Sequence, residues 1–217
     1  MLGLNPKEWG KVVKVRRMLP NLIPKETKRK KGRVLLSSVT DAYQPAEKRY
    51  HVTRHCLEQL LKADVDISIL TKSSLVLRDI DVIPCFSQAE VGVTITTLDE
   101  DIREVIEPNA SPITERLKVI KKFSSTGVRT YAFLGPLIPY LHGNIGEIIS
   151  VVADAGADYI IADKLRIKQG MWPSLAPILT TLEPKLGEFL QQQEKYYRSL
   201  KLILKKHSHI LPIFLEF

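Results

Sequence analysis

Polar side chains recur where the predicted strands of this sequence end. Thr40 and Asp41 follow the first apolar run, Lys72 follows the second, Thr94 lies in the third and Gly135 follows the fourth. An aspartate carboxylate accepts hydrogen bonds from an ammonium group, and a lysine ammonium suits a carboxylate. A glycine lets a ligand approach the backbone closely. Together these groups indicate a site for an amino-acid-like ligand.

Each of these residues also has a purely structural interpretation. Thr40 and Asp41 are typical caps of a following helix, Lys72 suits a solvated surface, and Thr94 suits ordinary strand packing. The stretch "TLDE" at 97–100 is first of all a capping box. The repetition at five successive strand ends favours a site, because the C-terminal ends of parallel strands in a barrel converge on one face.

Short apolar runs alternate with amphipathic segments of helical length. The predicted strands are 34–38, 66–70, 91–96, 129–134, 159–162 and a closing strand at 210–214. The predicted helices are 46–62, 111–126 with Ser111 as cap, 144–156, 169–181 and 184–207, with a weak helix or turn at 75–83. This alternation predicts an α/β fold in which helices flank a parallel sheet.

The 217 residues are predicted to form one domain, with a basic segment at 1–33, a strand–helix core at 34–168 and a helical extension at 169–217. Hydrophobic content of 44% and charged content of 26% are ordinary for a globular protein. No apolar run reaches the ~18 residues of a membrane span, and the N-terminus lacks the apolar core of a secretory signal. We therefore expect a cytoplasmic protein with no membrane partner.

The chain is basic, with a net charge of +8 and the run "KETKRKK" at 25–31. Such a surface attracts nucleic acid and other polyanions. The run contains no aromatic residues on which bases could stack. Nucleic acid is thus a candidate partner with little sequence support, and a solvated loop is the alternative.

Four stretches together resemble the radical S-adenosylmethionine (radical SAM) proteins of the spore photoproduct lyase-like group, also labelled DNA repair photolyase-like. They are "SSVTDAYQPAEKRYHVTR", "ILTKSSLVLRDIDVI", "VTITTLDEDIREVIEPNASPITERL" and "YAFLGPLIPYL". The resemblance covers about residues 9 to 156. Its most specific parts are the Asp-x-Tyr-Gln-Pro-x-Glu run at 41–47 and Glu107-Pro108 followed by Arg116.

The resemblance implies a partial parallel (β/α) barrel of the radical SAM type that binds S-adenosylmethionine (SAM) and a [4Fe–4S] cluster at the strand C-terminal ends. In the lyase itself a Ser-Asp pair contacts the methionine moiety of SAM, and that pair corresponds to Thr40 and Asp41. The family lysine corresponds to Lys72, the hydroxyl residue of the third motif to Thr94, and the backbone before a proline to Gly135. The implied activity is reductive cleavage of SAM at the cluster to a 5′-deoxyadenosyl radical that abstracts hydrogen from a substrate.

The sequence departs from the family pattern at the cluster. The family holds its cluster with a Cys-x3-Cys-x2-Cys loop after the first barrel strand, and this chain has only Cys56 and Cys85, which do not make that spacing. We expect the first strand and the cluster loop to be missing, as a mis-set start, a split gene or a decayed copy would produce. Residues 1–22 or a second copy of the chain would then cover the exposed edge of the first remaining strand.

These observations leave more than one function open. The first hypothesis is the SAM-binding part of a radical SAM enzyme, inactive by itself, whose partner is a separately encoded segment carrying the cluster. Its catalytic residues and its substrate are not identified by the sequence. The alternatives are a non-catalytic binding protein that retains the barrel and a basic module that binds nucleic acid.

Overall fold

A computed structural model of the chain describes residues 12–29, 32–36, 40–168 and 171–217. Six strands in these ranges form one sheet in chain order, and all five pairings are parallel. The strands are Val34–Leu36 (β1), Ile67–Thr71 (β2), Ala89–Thr94 (β3), Arg129–Leu137 (β4), Tyr159–Lys164 (β5) and Ile213–Leu215 (β6). The predicted α/β class and the closing strand are confirmed.

Helices occupy the connections between the strands. They are Leu19–Thr27 (α1), Glu47–Tyr50 (α2), Val52–Lys62 (α3), Glu100–Ile106 (α4), Ile113–Ser124 (α5), Ile145–Asp154 (α6), Trp172–Leu182 (α7) and Phe189–Lys206 (α8). Short 3-10 helices span Ser74–Asp79, Ile83–Cys85 and Pro184–Glu188. None of the helices in the described ranges is both long and apolar enough to cross a bilayer.

The two faces of the sheet have different environments because side chains alternate along each strand. One face carries Ile69, Val93, Ala132 and Ile160, all fully buried, and α5 packs against β3 and β4. The register places Leu35, Leu70, Phe133, Ile161 and Phe214 on the opposite face, where each is partly or largely exposed. We call this second face the open face of the sheet.

Several predicted boundaries are wrong for local reasons. The helix predicted at 46–62 is interrupted at His51, whose φ of 51° is left-handed. The helix predicted at 184–207 begins as the 3-10 turn Pro184–Glu188. Helices α1 and α4 were not predicted as helices. The last two residues of the predicted strand 34–38 lie outside the described residues.

The predicted helix caps are partly wrong. Ser111 does not cap α5, because the cap is Pro112 and Ser111 Oγ instead accepts a hydrogen bond from Ser74 N at 2.8 Å. In "TLDE" the cap of α4 is Asp99, whose carboxylate accepts hydrogen bonds from two backbone N–H groups of the first turn. Thr97 Oγ1 accepts the Asp99 N–H at 3.1 Å. The stretch therefore does cap α4, but through Asp99, two residues after Thr97, and the predicted capping box of Thr97 and Glu100 is wrong.

Candidate functional site

Asp41 joins the C-terminal ends of the first two strands. Its Oδ1 accepts hydrogen bonds from Tyr43 N at 2.8 Å and Thr71 Oγ1 at 2.7 Å. Its Oδ2 accepts a hydrogen bond from Lys72 N at 2.7 Å. Asp41 therefore does not cap the next helix, since α2 begins six residues later with Ala46 as its cap. A carboxylate has about four acceptor positions, so one remains for a further donor at this half-buried residue.

Lys72 continues the polar contacts toward the third strand. Its Nζ lies 3.7 Å from Glu107 Oε1 with 39% of the side chain exposed. Glu107 Oε2 lies 2.6 Å from Arg116 Nη1, an ionic contact that is not aligned as a directed hydrogen bond. The ammonium of Lys72 is thus held near the sheet edge while still reachable from solvent.

Arg116 anchors the end of β3. Its side chain is fully buried, and it donates from Nη1 to Thr94 O at 2.9 Å and from Nε to Ser111 O at 2.8 Å. Its Nη2 and the hydroxyl of Thr96 are buried without a hydrogen-bond partner among the described residues. The Glu-Pro…Arg motif therefore forms a buried ion pair beside the predicted site residue Thr94, whose own side chain is 2% exposed.

Gly135 lies in β4 beside the neighbouring strand ends. A Cβ on Gly135 would lie 2.5 Å from Phe133 Cε1, so a larger residue here would displace the ring of Phe133. Phe133 pairs with Thr94 in the register of β3 and β4. Thr94 and Gly135 thus lie toward the C-terminal ends of β3 and β4, and Asp41 and Lys72 lie in the segments that follow β1 and β2. We call this C-terminal side of the four adjacent strands the site edge of the sheet. Thr40 is exposed beside Asp41.

The other residues of the Asp-x-Tyr-Gln-Pro-x-Glu run form a charged network below this edge. Tyr43, 1% exposed, donates from its hydroxyl to Asp79 Oδ2 at 3.0 Å. Glu47 pairs with Arg78 at 2.9 Å, and Arg54 pairs with Asp79 at 3.1 Å. Burial, together with the neighbouring Asp79 carboxylate, raises the pKa of Tyr43 far above its usual value. These residues fix α2 and α3 onto the loop after β2.

The open face carries a cluster of aromatic and charged side chains that the sequence did not predict. We call the cluster of Tyr131, Tyr159 and Glu90 the floor. Tyr131 and Tyr159 stack with centroids 5.0 Å apart, and burial raises the pKa of both phenols. Glu90 pairs with Arg33 at 2.8 Å and Arg129 at 3.0 Å. The glycine in "AEVGVT" was the available signal, because a glycine inside a strand often marks close approach. A Cβ on Gly92 would lie 2.2 Å from Tyr131 Cζ.

A cavity of about 680 Å³ lies beside β1. The edge strand forms one wall, residues 13–16 and one side of α1 form another, and Thr40 and Asp41 line it as well. The second edge of β1 pairs with no strand in the described ranges. Residues 13–16 and α1 lie across the cavity from this edge, whereas residues 1–11 of the segment predicted to cover it lie outside the described residues.

The donor groups fit one implied ligand and not the other. No cluster of three or more His, Cys, Asp or Glu side chains that could hold a metal occurs in the described part of the chain. Cys56 is buried on α3 and Cys85 is exposed beyond β2, and burial raises the pKa of the Cys56 thiol to about 11. An iron–sulfur cluster therefore does not fit these residues. Asp41 and Lys72, which are both partly exposed, supply the two charges that complement an amino-acid group.

Solved structures identify the fold. The structure described as spore photoproduct lyase complexed with dinucleoside spore photoproduct matches 94% of this chain and 67% of that chain, with a TM-score of 0.68 and 13% identity. A lyase variant with bound AdoMet and the same dinucleoside matches 94% of this chain and 67% of that chain, with a TM-score of 0.65 and 12% identity. The six-stranded sheet is thus a partial barrel of the radical SAM type.

Sequence comparisons find similar proteins in an archaeon, a virus and mycobacteria. No protein-family model matches it. The uncharacterized protein MJ0683 of Methanocaldococcus jannaschii is 42% identical over 137 residues, which cover 63% of this chain, and the chain spans about half (52%) of the length of that relative. The uncharacterized protein ORF301 of Acidianus two-tailed virus is 30% identical over 219 residues, covering 93% of this chain and 72% of ORF301. The chain therefore belongs to the same protein family as ORF301.

Proposed function

We propose that this chain is the SAM-binding part of a radical SAM enzyme. The observation that carries the proposal is the joining of Asp41 and Lys72 at one edge of a radical SAM-type sheet, with Asp41 Oδ2 accepting the Lys72 N–H at 2.7 Å. The contact is made by the backbone of Lys72, whose ammonium lies 3.7 Å from Glu107 Oε1 and is partly exposed. Asp41 supplies an acceptor for an ammonium group, and Lys72 supplies a cation suited to a carboxylate. The two charges complement the amino-acid end of SAM.

Each residue of the edge then has a role toward the ligand. Asp41 accepts hydrogen bonds from the SAM ammonium, and Lys72 donates to its carboxylate. Thr40 lies exposed beside Asp41 and offers a hydroxyl. The backbone near Thr94 and Gly135 borders the site on the β3 and β4 side. Bound SAM would supply the abstraction of a hydrogen atom from a substrate once it is cleaved reductively. The protein would hold SAM in position for that reaction.

The cluster ligands have to come from another polypeptide segment in this proposal, because the described residues supply none. The open edge of β1 and the cavity of about 680 Å³ beside it provide room for such a segment. An additional strand at this edge would satisfy backbone groups that are otherwise unpaired.

Binding of SAM to wild type, Asp41→Asn and Lys72→Met tests the proposal. The Asn variant loses the negative charge and keeps an oxygen acceptor for Tyr43 N and Thr71 Oγ1, while its NH2 replaces the acceptor of the Lys72 N–H, so its thermal unfolding is measured as well. Charge-assisted hydrogen bonds contribute about 1.5–3 kcal/mol each, so each variant should bind at least tenfold more weakly. Wild type should bind near the millimolar range, about −4 kcal/mol, since no cluster helps to hold the amino-acid group.

The matched control is Asp154→Asn. Asp154 is exposed at the C-terminal end of α6, away from the strand C-terminal ends. The Asp154→Asn variant should bind SAM as tightly as wild type does, measured by ligand-observed NMR or calorimetry. Equal binding by wild type and Asp41→Asn would remove the proposed site, and so would the absence of any signal at 10-fold excess over the expected Kd.

A basic nucleic-acid-binding module is a second candidate, and the N-terminal segment favours it. Arg16, Arg17, Lys25, Lys28 and Arg29 are all exposed there, while Glu26 is the one acidic residue in 12–29. Fluorescence anisotropy with a single-stranded oligonucleotide at increasing salt tests this. The double variant Arg16→Ser, Arg17→Ser should reduce the slope of the logarithm of the binding constant against the logarithm of salt concentration by the equivalent of about two phosphate contacts. Unchanged binding by this variant would exclude the segment as the interface.

A further inference from the structure

Tyr140 is held in an unusual backbone conformation just beyond the end of β4. Its φ of 63° is left-handed, which is uncommon for a bulky residue. The side chain is nevertheless 50% exposed, so the packing of the core does not demand this conformation. Strained residues of this kind cluster at ligand sites. Tyr140 lies at the same edge of the sheet as Lys72, since the strands are parallel.

The ring of Tyr140 forms one wall of a cavity of about 270 Å³. Tyr196 and Phe189 from α8 contribute two further rings, and the Tyr140 and Tyr196 centroids are 6.1 Å apart. An apolar cavity of about 150 Å³ is large enough to hold benzene. This cavity therefore has room for one aromatic ring and a substituent.

Two lysines give the cavity a positive rim. Lys185 Nζ lies 5.7 Å from the Tyr140 ring centroid, and Lys195 is the second lysine of the lining. Neither lysine forms an ion pair with any residue in the described ranges. The one carboxylate of the lining, Glu188, accepts a hydrogen bond from Gln192 Nε2 at 3.0 Å. The rim thus offers two cations against one carboxylate already in a hydrogen bond.

The walls are fixed to the sheet. The hydroxyl of Tyr197 donates to Leu137 O at 2.8 Å and accepts from Leu165 N at 2.9 Å, which ties α8 to the ends of β4 and β5. Tyr196 is hydrogen-bonded through its hydroxyl to His142 Nε2. The ring of Tyr196 is therefore held in position before any ligand binds, which reduces the entropy lost on binding.

We propose that this cavity binds a single aromatic ring that carries an acidic group, such as an aryl phosphate or an aryl carboxylate. The ring would pack among Tyr140, Tyr196 and Phe189 in offset or edge-to-face contacts. The acidic group would lie between Lys185 and Lys195. The inference does not depend on SAM binding, because it involves no residue of the Asp41–Lys72 edge.

A ¹⁹F NMR titration with 4-fluorophenyl phosphate tests the proposal on the full chain. Tyr140→Gly removes the ring and suits the left-handed backbone, so this variant should fold while binding at least fivefold more weakly. Tyr140→Phe keeps the ring and should bind within twofold of wild type. Lys195→Gln should also weaken binding at least fivefold, whereas Lys205→Gln, an exposed lysine in the last turn of the same helix, should not.

Two further probes separate the ring from the charge. 4-Fluorophenol should bind at least fivefold more weakly than the phosphate ester, and inorganic phosphate should displace the ester only in large excess. Displacement by equimolar phosphate would show an anion site without ring recognition and overturn the proposal. Equal binding of the phenol, or wild-type binding by Tyr140→Gly, would overturn it as well.

Discussion

Replacing Arg116 by methionine should destabilise the protein strongly, because the guanidinium joins three parts of the fold. It donates to the carbonyl of Thr94 at the end of β3, to the carbonyl of Ser111 before α5, and it faces Glu107 at 2.6 Å. Arg116 is fully buried, and the Glu107 side chain is 8% exposed. Methionine keeps most of the buried volume while it removes the charge and the donors.

The magnitude follows from the burial of the pair. Removing one partner of a buried ion pair costs about 3–5 kcal/mol, because the other charge stays buried without compensation. The second neighbour of Glu107, Lys72, is 3.7 Å away and 39% exposed, so it compensates only in part. We therefore expect a loss near the lower end of that range. For a chain of this size a loss of about 3 kcal/mol lowers Tm by roughly 6–12 °C.

Urea unfolding followed by circular dichroism measures the effect. The variants are Arg116→Met, Glu107→Gln and the double variant, with Lys118→Met as control on the same helix. Lys118 and its partner Glu115 are both about half exposed at 3.6 Å, so the control should lose less than about 1 kcal/mol. The double variant should be destabilised by less than the sum of the single variants, since it leaves no unpaired buried charge.

Two results would refute this reasoning. A loss below about 1 kcal/mol for Arg116→Met would mean that the pair is far more hydrated than its burial indicates. Strict additivity in the double variant would mean that Arg116 and Glu107 do not interact. A changed m-value would instead indicate an altered unfolded or native ensemble, and the comparison would then be made from hydrogen exchange.

Three other predictions test the floor, the α8 contact and the cluster. Gly92→Ala should lower the free energy of unfolding by about 1–3 kcal/mol through overpacking, because the new Cβ would lie 2.2 Å from Tyr131. The control Gly187→Ala, whose Cβ would have its nearest atom at 3.8 Å, should unfold thermally like wild type. Equal effects of the two substitutions would contradict this prediction. Burial lowers the pKa of His142, so its contribution to stability is complete above about pH 6.5 and is lost as pH falls below that value toward the folded-state pKa. His142→Gln should therefore show a smaller drop in Tm between pH 7.5 and 5 than wild type or the exposed control His209→Gln, and identical curves would contradict the assignment. Anaerobic reconstitution should give no stoichiometric [4Fe–4S] cluster by iron and sulfide assay, and a full cluster lost on replacing Cys56 or Cys85 would prove this wrong.

The order of the elements could be predicted because each strand is a short apolar run and each helix has its own period. The breaks could not. His51 follows a helix-compatible sequence, yet it takes a left-handed conformation. We attribute this break in the helix to the contacts that Glu47 makes and not to the local helix propensity. Ser111 has the residue type of a cap, but its hydroxyl accepts the Ser74 N–H, a partner 37 residues away.

The candidate site was predictable as a set of strand ends, but its contacts were not. That Lys72 would approach Glu107, and Glu107 would pair with Arg116, depends on how α4 and α5 turn back over β3. The Glu90 floor depends on a register across three strands, in which Ser68, Glu90 and Arg129 lie side by side. Such pairings bring together residues far apart in sequence, and a single sequence gives no measure of them.

Asp41 illustrates why one residue can have both a structural and a ligand-binding role. Its carboxylate receives three protein hydrogen bonds, which hold its charge in place where β1 and β2 end. A negative charge held by three neutral donors is not neutralised, so it still attracts a ligand cation. The donors also fix the carboxylate before binding, which lowers the entropy that a ligand must overcome. Substitution by alanine would therefore disturb fold and site together. Asparagine is the milder change, but its NH2 replaces one of the two accepting oxygens, so thermal unfolding of this variant has to be measured beside SAM binding to separate the two roles.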